Sequence, residues 1–481
     1  MQPSPLYTTT PLRWLVLLLF SLNNAVNAFL WISLAAISEV TGLAFGVSTT
    51  SVNYFSLVFL IVYLPATLVV SFCIDRFGTR MTFIGGSFLN CVGGWLRYVG
   101  LVSNLGGSNG FALSLVGQIL AALGQPVFTN LPARISSDWF SVKERDTATV
   151  IASLSNAIGT AVASVVPSLV VSTAQDLPSL LLGTAIATSV IFLGSALGMT
   201  SDVPSSPPSA SASIRQLAAL RRVSTEELLL PNATGSAIVD DRSANTVSLT
   251  SPQAHPRSGV SLVSTMRSVL RQYWSLVCDK NFGCLLWGFG IGLGLFNALL
   301  TLIAQIILPC GYGADAAGLA GGALLGTGLV VAGGVGVLLE KTRAYTLILK
   351  VFMCLAGLAL IFFLSSLRRN SYEVLIVSSA VMGGFLIPIL PISLENAAEC
   401  TYPLTEEVSS GLLLSLGNYV GLILAIAMQF AASPSSCNSP VTPLAGIILG
   451  SFSLAMLSIA FFRPDYKRQN AERGGDGEIL T

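Results

Sequence analysis

Apolar runs of about 20 residues alternate with short polar breaks along most of the chain. A helix crossing a bilayer needs about 20 such residues. Twelve stretches qualify: 13–36, 52–74, 80–101, 111–131, 147–170, 177–200, 282–308, 315–339, 344–366, 373–397, 407–431 and 441–462. Six precede and six follow a polar stretch, 201–280, rich in Ser, Pro, Ala and Thr with interspersed Arg. Such a composition does not bury a core. The pattern predicts an all-α integral membrane protein of two six-helix bundles, 1–200 and 281–465. A mostly disordered cytosolic linker, 201–280, joins them, and a tail, 466–481, follows. Within the linker only 214–230 suggests a short amphipathic helix.

Polar residues inside apolar runs carry the candidate chemistry, because an unsatisfied amide in hydrocarbon costs several kcal/mol. Span 1 contains SLNNAVNAFLWIS at 21–33. At about 100° per residue, Phe20, Asn23, Asn24, Asn27 and Trp31 fall near one face, which reads as a wall of a solute pathway. Span 7 carries Phe289, Phe296, Asn297, Thr301 and Gln305, the last three stepping by four into a similar stripe. Spans 1 and 7 are equivalent in two symmetric halves, which supports both lining one cavity. Tyr63, Trp287 and Tyr419 add further rings at pathway positions. Glu395 and Glu399 lie one turn apart on span 10, where Pro388 and Pro391 loosen the helix. A membrane carboxylate is a candidate for coupling or for binding a cation.

Composition agrees with a polytopic membrane protein: 53% hydrophobic and 10% charged, with a mean hydropathy of +0.75. A net charge of +1 and no Lys/Arg stripe exclude a nucleic-acid partner. Placing both termini in the cytosol puts 21 of the 24 Lys and Arg inside, leaving Arg97, Arg368 and Arg369 outside. The sequon at Asn232 then lies in the cytosolic linker, where it is not glycosylated. The first apolar run is too long for a cleaved signal peptide and reads as a retained span. No CxxC pair occurs, and the lone His255 sits in the linker, so no metal or cofactor is expected. Cys310 and Cys437 both fall in outer loops, and whether they are bridged stays open. The Gly-rich runs at 288–294 and 318–336 lack the strand and lysine of a phosphate loop and read as helix packing. No Lys or Arg is placed deep in a span, which argues against a carboxylate or phosphate substrate. Several rings suit a small organic cation, worth about 0.5–2 kcal/mol over an aromatic face, or a flat neutral ring.

The loop between spans 2 and 3 reads Asp75-Arg76-Phe77-Gly78-Thr79-Arg80. D-R-x-G-x-R there resembles the signature loop of the major facilitator superfamily. The resemblance implies a latch between the two halves, with Asp75, Arg76 and Arg80 as gating residues. Further stretches narrow it: Asn27-Ala-Phe-Leu-Trp31-Ile, Leu131-Pro-Ala-Arg-Ile-Ser-Ser-Asp-Trp139-Phe, Asn156-Ala-Ile-Gly-Thr160, Glu395-Asn-Ala-Ala-Glu399-Cys-Thr-Tyr-Pro403 and Ser410-Gly-Leu-Leu. These resemble the FLVCR-related branch, named for a feline leukaemia virus receptor. The runs 30–40 and 305–342 look closest to its least-characterised member type. Members of the branch are linked to choline and ethanolamine, to haem, and to a vitamin B6 form. The resemblance implies that Trp31 and a ring on span 7 cage an ammonium group. The glutamines that assist on the fifth and eleventh helices are replaced here by Ala157 and Asn418.

These readings converge on a gradient-driven transporter of a choline- or ethanolamine-like amine or small neutral ring, working by alternating access. No enzymatic domain is expected. The protein is expected to act as a monomer in the plasma membrane or an organelle membrane. The expected substrate-binding set is Asn23, Asn27, Trp31, Tyr63, Phe289, Phe296, Asn297, Gln305, Asn418 and Tyr419. Haem or porphyrin transport is the alternative, weakened by the absence of histidine from the spans. A non-transporting receptor or scaffold using the linker is the alternative from another class. Coupling ion and direction stay open.

Overall fold

The computed structural model describes residues 10–103, 107–141, 144–204, 208, 262–342, 344–369, 371–401, 406–431 and 442–467. The helix expected at 214–230, the sequon at Asn232, Lys143, Cys437 and the tail beyond 467 lie outside the described residues. Among the described residues every regular element is helical. Eleven helices are long and apolar enough to span a membrane, one of them covering 54 residues. At 1.5 Å per residue that length far exceeds a ~30 Å core. It is two crossings folded at Gly78, whose φ of 84° and ψ of 172° leave the helical region. Span 1 fixes the direction of each limb. Phe20 stacks on Phe83, and Asn27 bonds Asn90, so span 3 runs with span 1. Trp31 meets Ser56, while Val70 and Ile74 pack with Val16 and Leu17, so span 2 runs against it.

Twelve crossings result, and both termini emerge at one end. The N-terminal half comprises Leu12–Ala36, the two limbs of Tyr54–Val102, Gly107–Asn130, Arg145–Val170 and Leu177–Gly198. The C-terminal half comprises Lys280–Ile307, Ala314–Thr342, Tyr345–Ser366, the pair Tyr372–Leu386 and Ile389–Thr401, Glu406–Ala431 and Pro443–Phe461. Span 10 breaks at Ile387 and Pro388, where proline removes a backbone donor. Short helices Ser38–Phe45 and Thr49–Val52 cover the end opposite the termini, and Pro132–Trp139 lies at the terminal end. A further helix, Leu262–Cys278, occupies the end of the stretch read as disordered linker.

Small residues bring helices close, because lipid provides no hydrophobic force between them. Gly159 of span 5 lies on the backbone of Ala25 in span 1. Gly294 of span 7 meets Gly421 of span 11, where a Cβ would stand 2.7 Å from the Gly421 nitrogen. Gly318, Gly321 and Gly322 seat span 8 on Ser164, Val165 and Ser168 of span 5, joining the halves away from the termini. Packing therefore accounts for part of each Gly-rich run, whereas Gly292, Gly326, Gly333, Gly334 and Gly336 have open space where a Cβ would stand.

Candidate functional site

The three asparagines of span 1 turn to different neighbours. Asn23 donates to Ser195 Oγ on span 6 at 2.8 Å and to Leu19 O at 2.8 Å. Asn24 donates to Ala152 O and accepts from Asn156 Nδ2, both on span 5, at 2.9 Å each. Asn27 donates to Asn90 Oδ1 on span 3 at 2.8 Å and to Ala121 O on span 4 at 2.9 Å. All three are fully buried. The Oδ1 atoms of Asn23 and Asn27 are nevertheless buried without partners among the described residues. Their amides bind the N-terminal half together, because an arc of span 1 wide enough to hold them touches four helices.

Trp31 is different. It is buried, yet its indole N–H has no hydrogen-bond partner. It belongs to an apolar cluster that crosses from the N-terminal to the C-terminal half, together with Phe289 and, at its edge, Phe296. Its backbone is held firmly. Ser56 Oγ donates to Trp31 O at 3.1 Å, and Gln118 Nε2 donates to Leu30 O at 2.8 Å and to Phe55 O at 2.9 Å. Gln118 Oε1 and Gln125 Oε1, both on span 4, are buried without partners. Each unsatisfied buried group costs about 1–3 kcal/mol, so these atoms mark where a solute or water would bind with gain. The two glutamines are seven residues apart and so share one face of span 4, a signal present in the sequence.

Span 7 divides by face. Phe289 and Phe296 turn toward the shared cluster, while Trp287, about 180° around the helix from Phe296, is 54% exposed. That corrects its place among pathway rings. Asn297 donates to Asn418 Oδ1 at 3.1 Å, tying span 7 to span 11. Gln305 leaves the binding wall altogether and reaches across the halves. Asn53, fully buried at the head of span 2, donates to Gln305 Oε1 at 3.2 Å and to Gln429 Oε1 at 2.7 Å. It accepts from Gln305 Nε2 at 3.0 Å, and that amide also donates to Thr49 O at 3.3 Å. These bonds close the end opposite the termini. Asn53 and Gln429 escape sequence reading because polar residues at span ends are ordinary.

The Tyr63 hydroxyl is occupied by Thr129 and Asn130 of span 4 at 3.0 Å each, within one half. Tyr419, half-buried, donates to Ile61 O at 3.3 Å and so bridges the halves at mid-depth. The signature loop is pinned within its own half. Asp202 Oδ1 accepts from Arg80 N at 2.6 Å, and Arg80 Nε donates to Met199 O at 2.5 Å. Asp202 crowds Gly78, where any Cβ would stand 2.6 Å from its Oδ2. Arg80 is therefore a clasp on the end of span 6. Asp75 is exposed and Arg76 half-buried. Glu399 is buried on the broken span 10, whereas Glu395 is exposed.

Arg97 overturns the premise that no cation lies within a span. It sits inside span 3, 1% exposed, and donates to Leu30 O at 3.5 Å and Ser33 Oγ at 3.0 Å. Its Nε has no partner. The buried guanidinium stands level with Trp31 and removes the electrostatic argument against an anionic group.

Comparison with known proteins places this architecture. The Major Facilitator Superfamily profile matches residues 14–425. Solute carrier family 49 member A3 of Xenopus tropicalis is 29% identical, covering 98% of this chain and 91% of that protein. The choline/ethanolamine transporter FLVCR1 of Mus musculus is 29% identical, covering 98% of this chain and 78% of that protein. Among solved structures, a D-xylose–proton symporter superposes with a TM-score of 0.67 at 12% identity, covering 95% of this chain and 98% of its own. A bacterial Spinster homologue, inward-facing and unoccupied, superposes at 0.60 with 13% identity, covering 95% and 97%.

Proposed function

Because the chain belongs to the major facilitator superfamily, we propose that it is a secondary transporter of a choline- or ethanolamine-like amine or a small neutral ring compound. The observation that carries this reading is Trp31, a buried indole with a free N–H at the junction of the halves. Phe289 belongs to the same cluster and Phe296 packs at its edge, which supports them as the rings contributed by span 7. The similarity to the choline/ethanolamine transporter FLVCR1 supports the amine class. Passage of the solute past the end opposite the termini requires the Asn53–Gln305–Gln429 latch to open. The distribution of Lys and Arg supports placing both termini in the cytosol. Glu399 on the broken span is the candidate coupling carboxylate. The protein works as a monomer, since each half supplies one wall of the path.

The test is uptake of labelled choline, ethanolamine, pyridoxine and haem into proteoliposomes holding wild type, Trp31→Phe or Trp31→Ala. At least one amine or ring solute should accumulate with wild type. Trp31→Ala should abolish that movement, and Trp31→Phe should retain part of it through the ring face. Equal transport by wild type and Trp31→Ala would remove Trp31 from the site. Binding without accumulation would favour a receptor. Arg97 supports a second reading, in which the solute also carries a carboxylate or phosphate. Uptake of an acidic solute that is lost in Arg97→Gln would select it.

A further inference from the structure

The helix Leu262–Cys278 is a short element set against the flank of the bundle. One residue, Asp279, separates it from span 7, and the Asp279 carboxylate caps that span by accepting from Asn281 N at 2.9 Å and Phe282 N at 3.0 Å. The helix is thereby held at the membrane's terminal-end surface. Among its described side chains, Tyr273 and Leu276 are buried. The Tyr273 hydroxyl lies 2.9 Å from where a Cβ of Gly411 would stand, and Thr67 of span 2 borders the same point. Tyr273 thus seats the helix where span 2 of one half meets span 11 of the other.

Beside the face of Tyr273 and Leu276 lie exposed described residues. Leu270, Trp274 and Val277 are 47%, 72% and 46% exposed. At about 100° per residue they share one arc of roughly 60°, immediately beside the buried face. Arg267 and Arg271, both exposed, take the next arc. Met266, Arg267, Leu270 and Arg271 also line an open hollow on this surface. The helix contains no acidic residue. An apolar arc next to the bundle, bordered by arginines and then by polar residues, has the order of an interfacial helix. In an interfacial helix the apolar arc meets acyl chains and the flanking arginines meet headgroup phosphates.

We propose that this helix is a binding site for an anionic phospholipid. The acyl chains lie along Leu270, Trp274 and Val277, and the headgroup phosphate is held by Arg267 and Arg271. A basic residue near an anionic surface contributes about 1 kcal/mol. Removing one arginine should therefore weaken binding about five-fold, and removing both roughly 30-fold. The site is independent of the transported solute, and its test reads lipid rather than transport.

The full chain, purified in detergent, is titrated with phosphatidylserine or phosphatidylcholine, and retained lipid is counted by native mass spectrometry. Wild type should retain phosphatidylserine in preference to phosphatidylcholine. The double variant Arg267→Gln/Arg271→Gln should lose that preference, and Arg267→Lys/Arg271→Lys should keep most of it, which separates charge from folding. Equal retention of the two lipids by wild type would overturn the proposal, as would unchanged retention by the Gln variant. A competition arm uses inorganic phosphate and glycerophosphoserine. Displacement of the lipid by either at low millimolar concentration would show a free-phosphate site and overturn the lipid assignment. Resistance to both supports it.

Discussion

Asn53→Ala should unlatch the end opposite the termini. One Asn53 side chain makes three of the bonds that join the halves there, two to Gln305 and one to Gln429. Bonds between membrane helices average about 0.6 kcal/mol and reach about 1.7 kcal/mol. Three together therefore favour the closed end by about 2 kcal/mol. Alanine should shift the closed-to-open equilibrium toward open by about 30-fold, since 1.4 kcal/mol is a factor of ten. Gln429→Leu removes a single bond and should shift it only about three-fold. The assay places a cysteine at Thr301, four residues inside Gln305, after the exposed Cys278 and Cys354 are replaced by serine. A membrane-impermeant thiol reagent is added from the latch side. When opening and closing outpace labelling, the labelling rate follows the open population. The expected order is wild type, then Gln429→Leu, then Asn53→Ala, with the larger step at Asn53. Equal rates in folded wild type and Asn53→Ala would show that these amides do not hold the end shut. A larger effect from Gln429→Leu than from Asn53→Ala would refute the additive argument.

Other expectations follow from single contacts. Gly78→Ala should lower thermal stability by several degrees in a detergent melt, because φ of 84° disfavours any Cβ and Asp202 occupies its place; an unchanged melting point would mean the loop is free to move. Cys310 is disulfide-bonded, so the wild type should change gel mobility on reduction and Cys310→Ser should not. Arg97→Gln should tighten binding of any cation held by Trp31, by about ten-fold if repulsion amounts to about 1.4 kcal/mol in a medium of effective dielectric near 20. Unchanged affinity for the cation in Arg97→Gln would show that the guanidinium is screened from the site.

The helical content and the pairing of halves are legible in the sequence because each depends on local information. A span is a length of apolar residues, and a break such as Gly78 or Pro388 is one residue. The sequence also shows that the span 1 amides must be satisfied. It does not show by whom, because Ser195 is 172 positions from Asn23 and Asn90 is 63 from Asn27. A helical wheel describes directions around one helix, whereas a binding wall is defined by what stands opposite. Asn23 and Asn24, adjacent in sequence, point about 100° apart and so reach spans 6 and 5. Arg97 is missed for a related reason. Counting charges by loop assigns it to an outer loop, but its helix continues to Val102 and turns the guanidinium toward span 1.

The same distinction sorts the polar groups that remain. An amide that finds a neighbour within its own half, as Asn24, Asn27 and Asn297 do, strengthens that half and can stay fixed while the halves rock. An amide that bonds across the halves, as Asn53 does, must break its bonds in every cycle, so its partners need water on the open side. A buried group with no partner can satisfy neither state alone. Trp31 Nε1, Gln118 Oε1 and Gln125 Oε1 are such groups. Trp31 also belongs to the cluster shared by the halves, so a solute hydrogen-bonded there gains what the empty protein lacks. Differential affinity of this kind is what allows a solute to shift a conformational equilibrium. Trp31 is therefore the residue at which binding and rocking are most directly linked.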